Sequence, residues 1–197
     1  MLSYPSIPRW QDTKIGQPCL AFNKYDGSNI RVEWSPKRGW YKYGTRNHLF
    51  DATNAPYNQA IPLFQPMGEE ITKIVCEHYG KTERIVAFTE FFGPSSFAGT
   101  HDMDEPKQLV LFDVSVYKKG FIPPRNFVKM FGHLPYTAKV VYDGKMNHEF
   151  VEAVRHGQYP VYEGVVCKGD GWNAKIKTHE FINRLKNRYG TEWEKYE

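Results

Sequence analysis

The chain has 197 residues, 41% of them hydrophobic and 16% aromatic, which is enough to bury one sizeable core and too apolar for intrinsic disorder. Its 26 basic and 22 acidic residues leave a formal charge of +4, a mild excess that permits a polyanionic partner without requiring one. Cys19, Cys76 and Cys167 are odd in number, far apart and without C-x-x-C spacing, which argues against a disulfide framework or a zinc site and fits a reducing cytoplasm.

The opening "MLSYPSIPRW" lacks the basic and apolar regions of an export signal, and no window approaches the roughly 18 apolar residues of a membrane span, so the expectation is a cytoplasmic chain with no membrane association. From Cys19 to Arg46, apolar and polar residues alternate around "SPKRG". This predicts a β-hairpin of "NIRVEW", a turn at Ser35 to Gly39, and "WYKYG", with Lys24 shortly before it. "DATNAPYNQAIP" is rich in turn formers and reads as a loop, after which Met67, Ile71, Ile74, Val75 and His78 recur at helical spacing, predicting a helix from Pro66 to Tyr79 closed by Gly80. "RIVAFTEFFG" and "QLVLFDVSVY" are β-branched and aromatic runs of strand character, separated by a polar loop, "PSSFAGTHDMDEPK". In that loop His101, Asp102, Asp104 and Glu105 have only weak metal-ligand spacing, and they are left out of the expected site. Two short helices follow, "PPRNFVKMFG" with proline in its first turn and "HEFVEAVRHG" capped by Asn147. The final third reads as a strand "VYEGVVCKG", a turn at Asp170-Gly171, a strand "NAKIKT" and a basic amphipathic helix from about Glu180 to Tyr189. Hairpins mixed with helices favour an α+β fold with largely antiparallel sheets, and no linker or repeat divides the chain, so residues 1–197 are expected to form one domain.

Chemistry enters with "KYDGSNIR", a lysine, an acid, a glycine and an arginine at Lys24, Asp26, Gly27 and Arg31. Downstream, in order, come Glu90 in "FTEFFG", Phe112 and Asp113 in "LVLFDVSV", Glu163 and Lys168 in "YEGVVCKG", and Lys175 and Lys177 in "NAKIKT". The ordered set resembles the motifs of the covalent nucleotidyltransferase superfamily, which comprises ATP-dependent DNA and RNA ligases and mRNA capping enzymes. Within that superfamily the likeness is to RNA ligases of the phage type, because "YGTRNHLF" is similar to their additional arginine-bearing motif, with Arg46 in that place. The resemblance spans roughly Phe22 to Thr178 and implies a nucleotidyltransferase (ATP-grasp-like ligase) domain with antiparallel sheets flanked by short helices.

The resemblance makes Lys24 the nucleophile that attacks the α-phosphate of ATP, a task that needs a neutral amine. It makes Asp26 a group that orients Lys24 or meets the ribose side of the site, and Gly27 a point where the backbone approaches the nucleotide. Arg31 and Arg46 are planar donors suited to ribose or phosphate oxygens. Glu90 is implied to bind the ribose or a metal and Glu163 to help hold a divalent ion, with carboxylates suiting Mg²⁺. Phe112 stands in the place of the aromatic that stacks on adenine. Lys175 and Lys177, two apart on one strand, face the same way and reach the α-phosphate and the leaving pyrophosphate. The implied activity is ATP-dependent joining of 5′-phosphate and 3′-hydroxyl ends through lysine-AMP, with RNA preferred over DNA and RNA repair as the setting. The alternatives are a DNA ligase, a GTP-dependent capping-type guanylyltransferase, and a non-catalytic nucleic-acid-binding partner subunit. Only about twenty residues follow Lys177, where capping enzymes and larger DNA ligases carry an OB-fold domain. The expectation is a monomer, since nothing in the sequence signals self-association, with a separate protein as one possible source of the missing C-terminal contacts.

Overall fold

The computed structural model describes residues 1–196. In chain order the strands are β1 (Pro18–Lys24), β2 (Ser28–Ser35), β3 (Gly39–Thr45), β4 (Leu49–Phe50), β5 (Ile85–Phe92), β6 (Gln108–Val116), β7 (Gly120–Phe121), β8 (Val140–Lys145), β9 (Gly164–Lys168) and β10 (Asn173–Lys177). The helices are α1 (Ala60–Tyr79), α2 (Pro124–Phe131), α3 (His148–Arg155) and α4 (His179–Tyr189). They assemble into two compact units, each built from two stretches of chain: Met1–Pro5 with Gly27–Thr137, and Ser6–Asp26 with Ala138 onward. All strand pairs in both sheets are antiparallel, as the α+β expectation requires.

The first unit holds a sheet in the order β4-β3-β2-β5-β6-β7. Its β2–β3 hairpin forms where the alternation predicts, with Ser35 opposite Gly39 across the turn. Helix α1 packs on β6 and begins six residues earlier than Pro66 suggests, with that proline inside it. A proline in a helix interior costs about 3 kcal/mol, here the bond that the Pro62 carbonyl would have accepted. Against that, Ala60, Phe64, Met67, Ile71 and Val75 form one buried stripe, and Phe64 alone contributes about 2–3 kcal/mol of apolar burial. The extra turns therefore stay helical, because Phe64 reaches the core only if they do.

The second unit holds a sheet in the order β10-β9-β1-β8. One face packs Cys19, Ala21, Val165, Cys167, Ala174 and Ile176 against Met146 and against Phe150, Val151 and Val154 of α3. With a side-chain period of two, the opposite face must carry Leu20, Phe22, Lys24, Val166, Lys168, Lys175 and Lys177. Strand β8 is absent from the expected elements. Its "VVYDGK" carries Asp143-Gly144, which reads as a turn, but it lies at the sheet edge, and the Tyr142 ring fills the space beside Gly144. Helix α3 starts as expected, with the Asn147 side chain accepting from the Phe150 amide at 2.8 Å. Asn147→Ala is expected to destabilise the protein by about 1 kcal/mol, read as a lower denaturation midpoint with an unchanged slope.

Candidate functional site

Three strands of the second sheet bring Lys24, Glu163 and Lys177 together. Lys24 ends β1 and Lys177 ends β10, and both stand opposite Gly164, the first residue of the strand between them. Residues on one such row share a face, so the two lysines converge on the start of β9. Glu163, one residue earlier, would ordinarily point the other way. It is returned to this face by Gly164, whose φ of +147° lies where side chains are rarely tolerated and whose added Cβ would stand 2.0 Å from the Ile176 carbonyl oxygen. Gly164→Ala is therefore expected to cost at least about 2 kcal/mol and to lower the thermal midpoint together with any activity of the site.

Glu163 Oε1 sits 2.9 Å from Lys24 Nζ and 2.9 Å from Lys177 Nζ. Burial pushes the carboxyl pKa up, but the charges and hydrogen bonds of the two ammonium groups outweigh burial and hold it below the usual carboxylate range. Its second oxygen, Oε2, is buried without a hydrogen-bond partner. A buried, ionised oxygen left open in this way suits a ligand that brings positive charge. Among the described residues no group of three or more His, Cys, Asp or Glu side chains is arranged to hold a metal by itself. Lys168 lies on the same face, its ammonium 5.2 Å from the centre of the Phe22 ring, and the Lys177 ammonium lies 4.8 Å from that of Phe181. Lys175 is two residues before Lys177 on this face, and its amide donates to the Pro8 carbonyl. The Thr178 side chain caps α4, and its amide donates to the Glu163 carbonyl at 3.0 Å, which ties the end of β10 to the acid. Asp26 is half-buried at the end of this unit's first stretch.

The remaining expected residues lie in the first unit. Gly27 is demanded by the fold itself, because a Cβ there would meet the Phe91 carbonyl oxygen at 2.3 Å. Arg31 is buried and donates to the Thr45 carbonyl, the Met1 carbonyl and the Ser3 hydroxyl. Those contacts tie β2 to the end of β3 and to the first residues, a different use from the ribose or phosphate contact implied for it. Arg46 is exposed in the turn between β3 and β4. Glu90 stands opposite Asn29 on one side and Val110 on the other. Phe112 is the extra residue of a β-bulge, since Phe88 pairs with Asp113 and Thr89 already pairs with Leu111. Bulges re-aim a side chain, and this one leaves Phe112 half-buried with its ring 5.0 Å from Tyr4 in an edge arrangement. Asp113 is structural in its visible contacts, accepting from the Tyr4 hydroxyl at 2.9 Å and the Val114 amide at 3.0 Å.

Asn29 is missing from the expected residues. Both polar atoms of its side chain are buried without a hydrogen-bond partner, opposite Glu90. A buried amide left open costs a few kcal/mol unless a ligand satisfies it, which suits a polar ligand on this face of β2. The signal was present in "KYDGSN", five residues after the lysine.

The fold has solved counterparts. A Naegleria gruberi RNA ligase with PPi superposes with a TM-score of 0.68 at 21% identity, covering 95% of this chain and 59% of that one. A mutant of that ligase with ATP and Mn gives a TM-score of 0.68 at 20% identity, with 95% and 58% covered. A third structure, a mutant with AMP and Mn, gives 0.68 at 21%, with 95% and 59% covered. At this identity the likeness is one of fold, and the chain spans a little under 60% of the length of these proteins. No curated protein sequence matches the chain. The RNA ligase family model matches residues 17–186, from just before β1 into α4 and over every motif described above, and the chain belongs to the RNA ligase family.

Proposed function

We propose that the chain is the nucleotidyltransferase domain of an ATP-dependent RNA ligase and that Lys24 forms the covalent link to AMP. The observation that supports this most is the buried carboxylate of Glu163 shared by Lys24 and Lys177 at 2.9 Å each. A lysine placed for solubility has no reason to converge on another lysine over one acid. Here Glu163 fixes the direction of the Lys24 amine, and the nucleophilic form arises when that amine loses a proton. The N–P bond forms as the bond between the α- and β-phosphates breaks and pyrophosphate leaves. Lys177 and Lys175 offset the charge that builds on the transferring and leaving groups. The AMP then passes to a 5′-phosphate end, and attack by a 3′-hydroxyl joins the ends and releases AMP.

The relatives solved with ATP, AMP and Mn support ATP as the donor and a divalent ion as the helper. The open Glu163 Oε2 fits such an ion, and Glu90 keeps the role that the resemblance implies for it, toward the ribose or a metal. A bound Mg²⁺ supplies neutralisation of phosphate charge. Asp26 and Arg46 are assigned to the nucleotide, Phe112 to the adenine face and Asn29 to a polar group of the substrate. The chain is taken to act as one domain and as a monomer on RNA ends in the cytoplasm, in repair, with a separate protein or segment orienting the ends. No helix among the described residues is long and apolar enough to cross a membrane.

Incubation with α-labelled ATP and Mg²⁺ followed by denaturation should leave label on the protein, with ATP preferred over GTP. A chain that takes label from GTP in preference would be a guanylyltransferase. Sealing assays on nicked RNA, DNA and hybrid duplexes then separate RNA from DNA ligation.

A further inference from the structure

The loop between α3 and β9 brings Tyr162 to the position just before Glu163. Tyr162 is 43% exposed, and a single exposed tyrosine is ordinary on a protein surface. This one is fixed in place. The Thr178 hydroxyl donates to the Tyr162 carbonyl at 2.9 Å and the Thr178 amide to the Glu163 carbonyl at 3.0 Å, so both residues are tied to the start of α4. The Tyr162 ring stands edge-on to that of Phe181 with 5.6 Å between centres. Phe181 is buried, with the Lys177 ammonium 4.8 Å from its centre. A single phenyl ring therefore separates Tyr162 from the ammonium that shares Glu163 with Lys24.

Beside Tyr162 lies Arg184, on the exposed side of α4. Arg184 donates to the Tyr162 hydroxyl, and its guanidinium carbon lies 5.6 Å from the centre of the tyrosine ring. The phenol thus holds a planar donor fork of the kind suited to phosphate oxygens. Arg188 follows one turn later and is also exposed, which continues the positive charge along the helix. A flat exposed ring beside guanidinium groups matches single-stranded nucleic acid, whose bases stack on aromatic faces while the cations meet its backbone. The chain belongs to the RNA ligase family, and the patch adjoins the Lys24 site, so RNA is favoured over an acidic protein segment as the occupant.

We propose that Tyr162 and Arg184 form a subsite for an RNA strand at the rim of the Lys24, Glu163 and Lys177 cluster, with an unpaired base stacking on the Tyr162 ring and a phosphate of the same strand meeting Arg184. The proposal rests on the reading of that cluster as the place where RNA ends are joined, and it names the side chains that hold the strand there. All five residues belong to the second unit.

The test follows binding of a fluorescein-labelled, 5′-phosphorylated single-stranded RNA by anisotropy over a range of salt concentrations. Self-labelling from ATP and the thermal midpoint are measured in parallel, for the wild type, Tyr162→Ala, Tyr162→Phe, Arg184→Ala and Lys37→Ala. Tyr162→Ala should weaken binding at least about fivefold, and Tyr162→Phe should keep most of the affinity, since stacking needs the ring and not the hydroxyl. Arg184→Ala should weaken binding and also flatten the slope of log affinity against log salt by about 0.7, as one lost phosphate contact requires, whereas Tyr162→Ala should leave the slope unchanged. Lys37→Ala, which removes an exposed charge from the β2–β3 turn of the first unit, should bind as the wild type does. Wild-type affinity in Tyr162→Ala or in Arg184→Ala overturns the proposal. So does a loss in Lys37→Ala equal to that in Arg184→Ala, or a loss in Tyr162→Phe as large as that in Tyr162→Ala. Where Tyr162→Ala lowers the midpoint, Tyr162→Phe and the salt slope of Arg184→Ala decide. A wild type that takes label from ATP but binds no RNA overturns the proposal, leaves the patch to an acidic protein segment and upholds the covalent reading. A wild type that binds RNA but takes no label contradicts the covalent reading, while the comparison among the variants still decides the subsite.

Discussion

Lys24→Ala is expected to reduce protein labelling by ATP at least about a thousandfold, to background, because the alanine removes the proposed nucleophile and no other group replaces a covalent bond. The fold should survive. Glu163 keeps Lys177 at 2.9 Å, and the Lys24 side chain is 22% exposed, so the loss amounts to one charged hydrogen bond at a partly open site, about 1–2 kcal/mol. The signature is therefore a folded protein with a small change in midpoint and no label. Lys24→Arg sharpens the result. Arginine keeps the charge and can still bond Glu163, but its guanidinium does not lose a proton near neutral pH and is not a nucleophile, so it should be as inert as alanine. If Lys24 served only to pair with Glu163, arginine would be close to wild type.

Glu163→Ala should act on fold and chemistry together. It removes both ion pairs at once and leaves Lys177, whose side chain is 5% exposed, beside Lys24 with no carboxylate between them. Removing one partner of a buried ion pair costs about 3–5 kcal/mol, which for a chain of this size lowers the thermal midpoint by about 6–20 °C. Labelling should fall at least about a hundredfold, since the amine is no longer aimed and the two lysines repel. Glu163→Gln separates the two effects, keeping the shape and an acceptor while losing the charge. The wild-type carboxyl has a folded pKa below its ordinary 4.5, so its contribution to stability is fully present above about pH 4.5 and fades as pH falls through the lowered folded value. The stability difference between wild type and Glu163→Gln should accordingly be constant near neutrality and shrink in that acid window. A difference that does not shrink would mean that the charge of Glu163 is not what holds the lysines.

Much of the architecture was legible because it rests on period and punctuation. The β2–β3 hairpin, β5, β6, the Asn147-capped α3 and the strand pair ending at Lys177 all follow from alternation or from turn and cap residues. The misses have physical causes. Pro66 reads as a helix start, yet the buried stripe through Ala60 and Phe64 keeps the chain helical across it. Strand β8 is an edge strand, so pairing on one side suffices to form it despite Asp143-Gly144. Of the site, the lysines on one face of β10 were readable from spacing, whereas the shared carboxylate was not, because Glu163 joins their face only through the unusual backbone of Gly164. Arg31 reads as a ligand donor in sequence, and in the structure its Nε and Nη1 serve three groups of the protein itself. Asn29 escaped because an asparagine at the start of a strand is ordinary, and only its unpartnered burial opposite Glu90 distinguishes it.

The central claim is that one amine, placed by the first and last strands of a four-stranded sheet around Glu163, bonds to AMP. Mapping the adduct tests it directly: incubate the protein with ATP and Mg²⁺, digest under mildly alkaline conditions that spare a phosphoramidate, and locate the added AMP by mass spectrometry. The adduct is predicted on Lys24 and nowhere else. AMP on Lys168, Lys175 or Lys177, or no adduct from a protein that binds ATP, would contradict it.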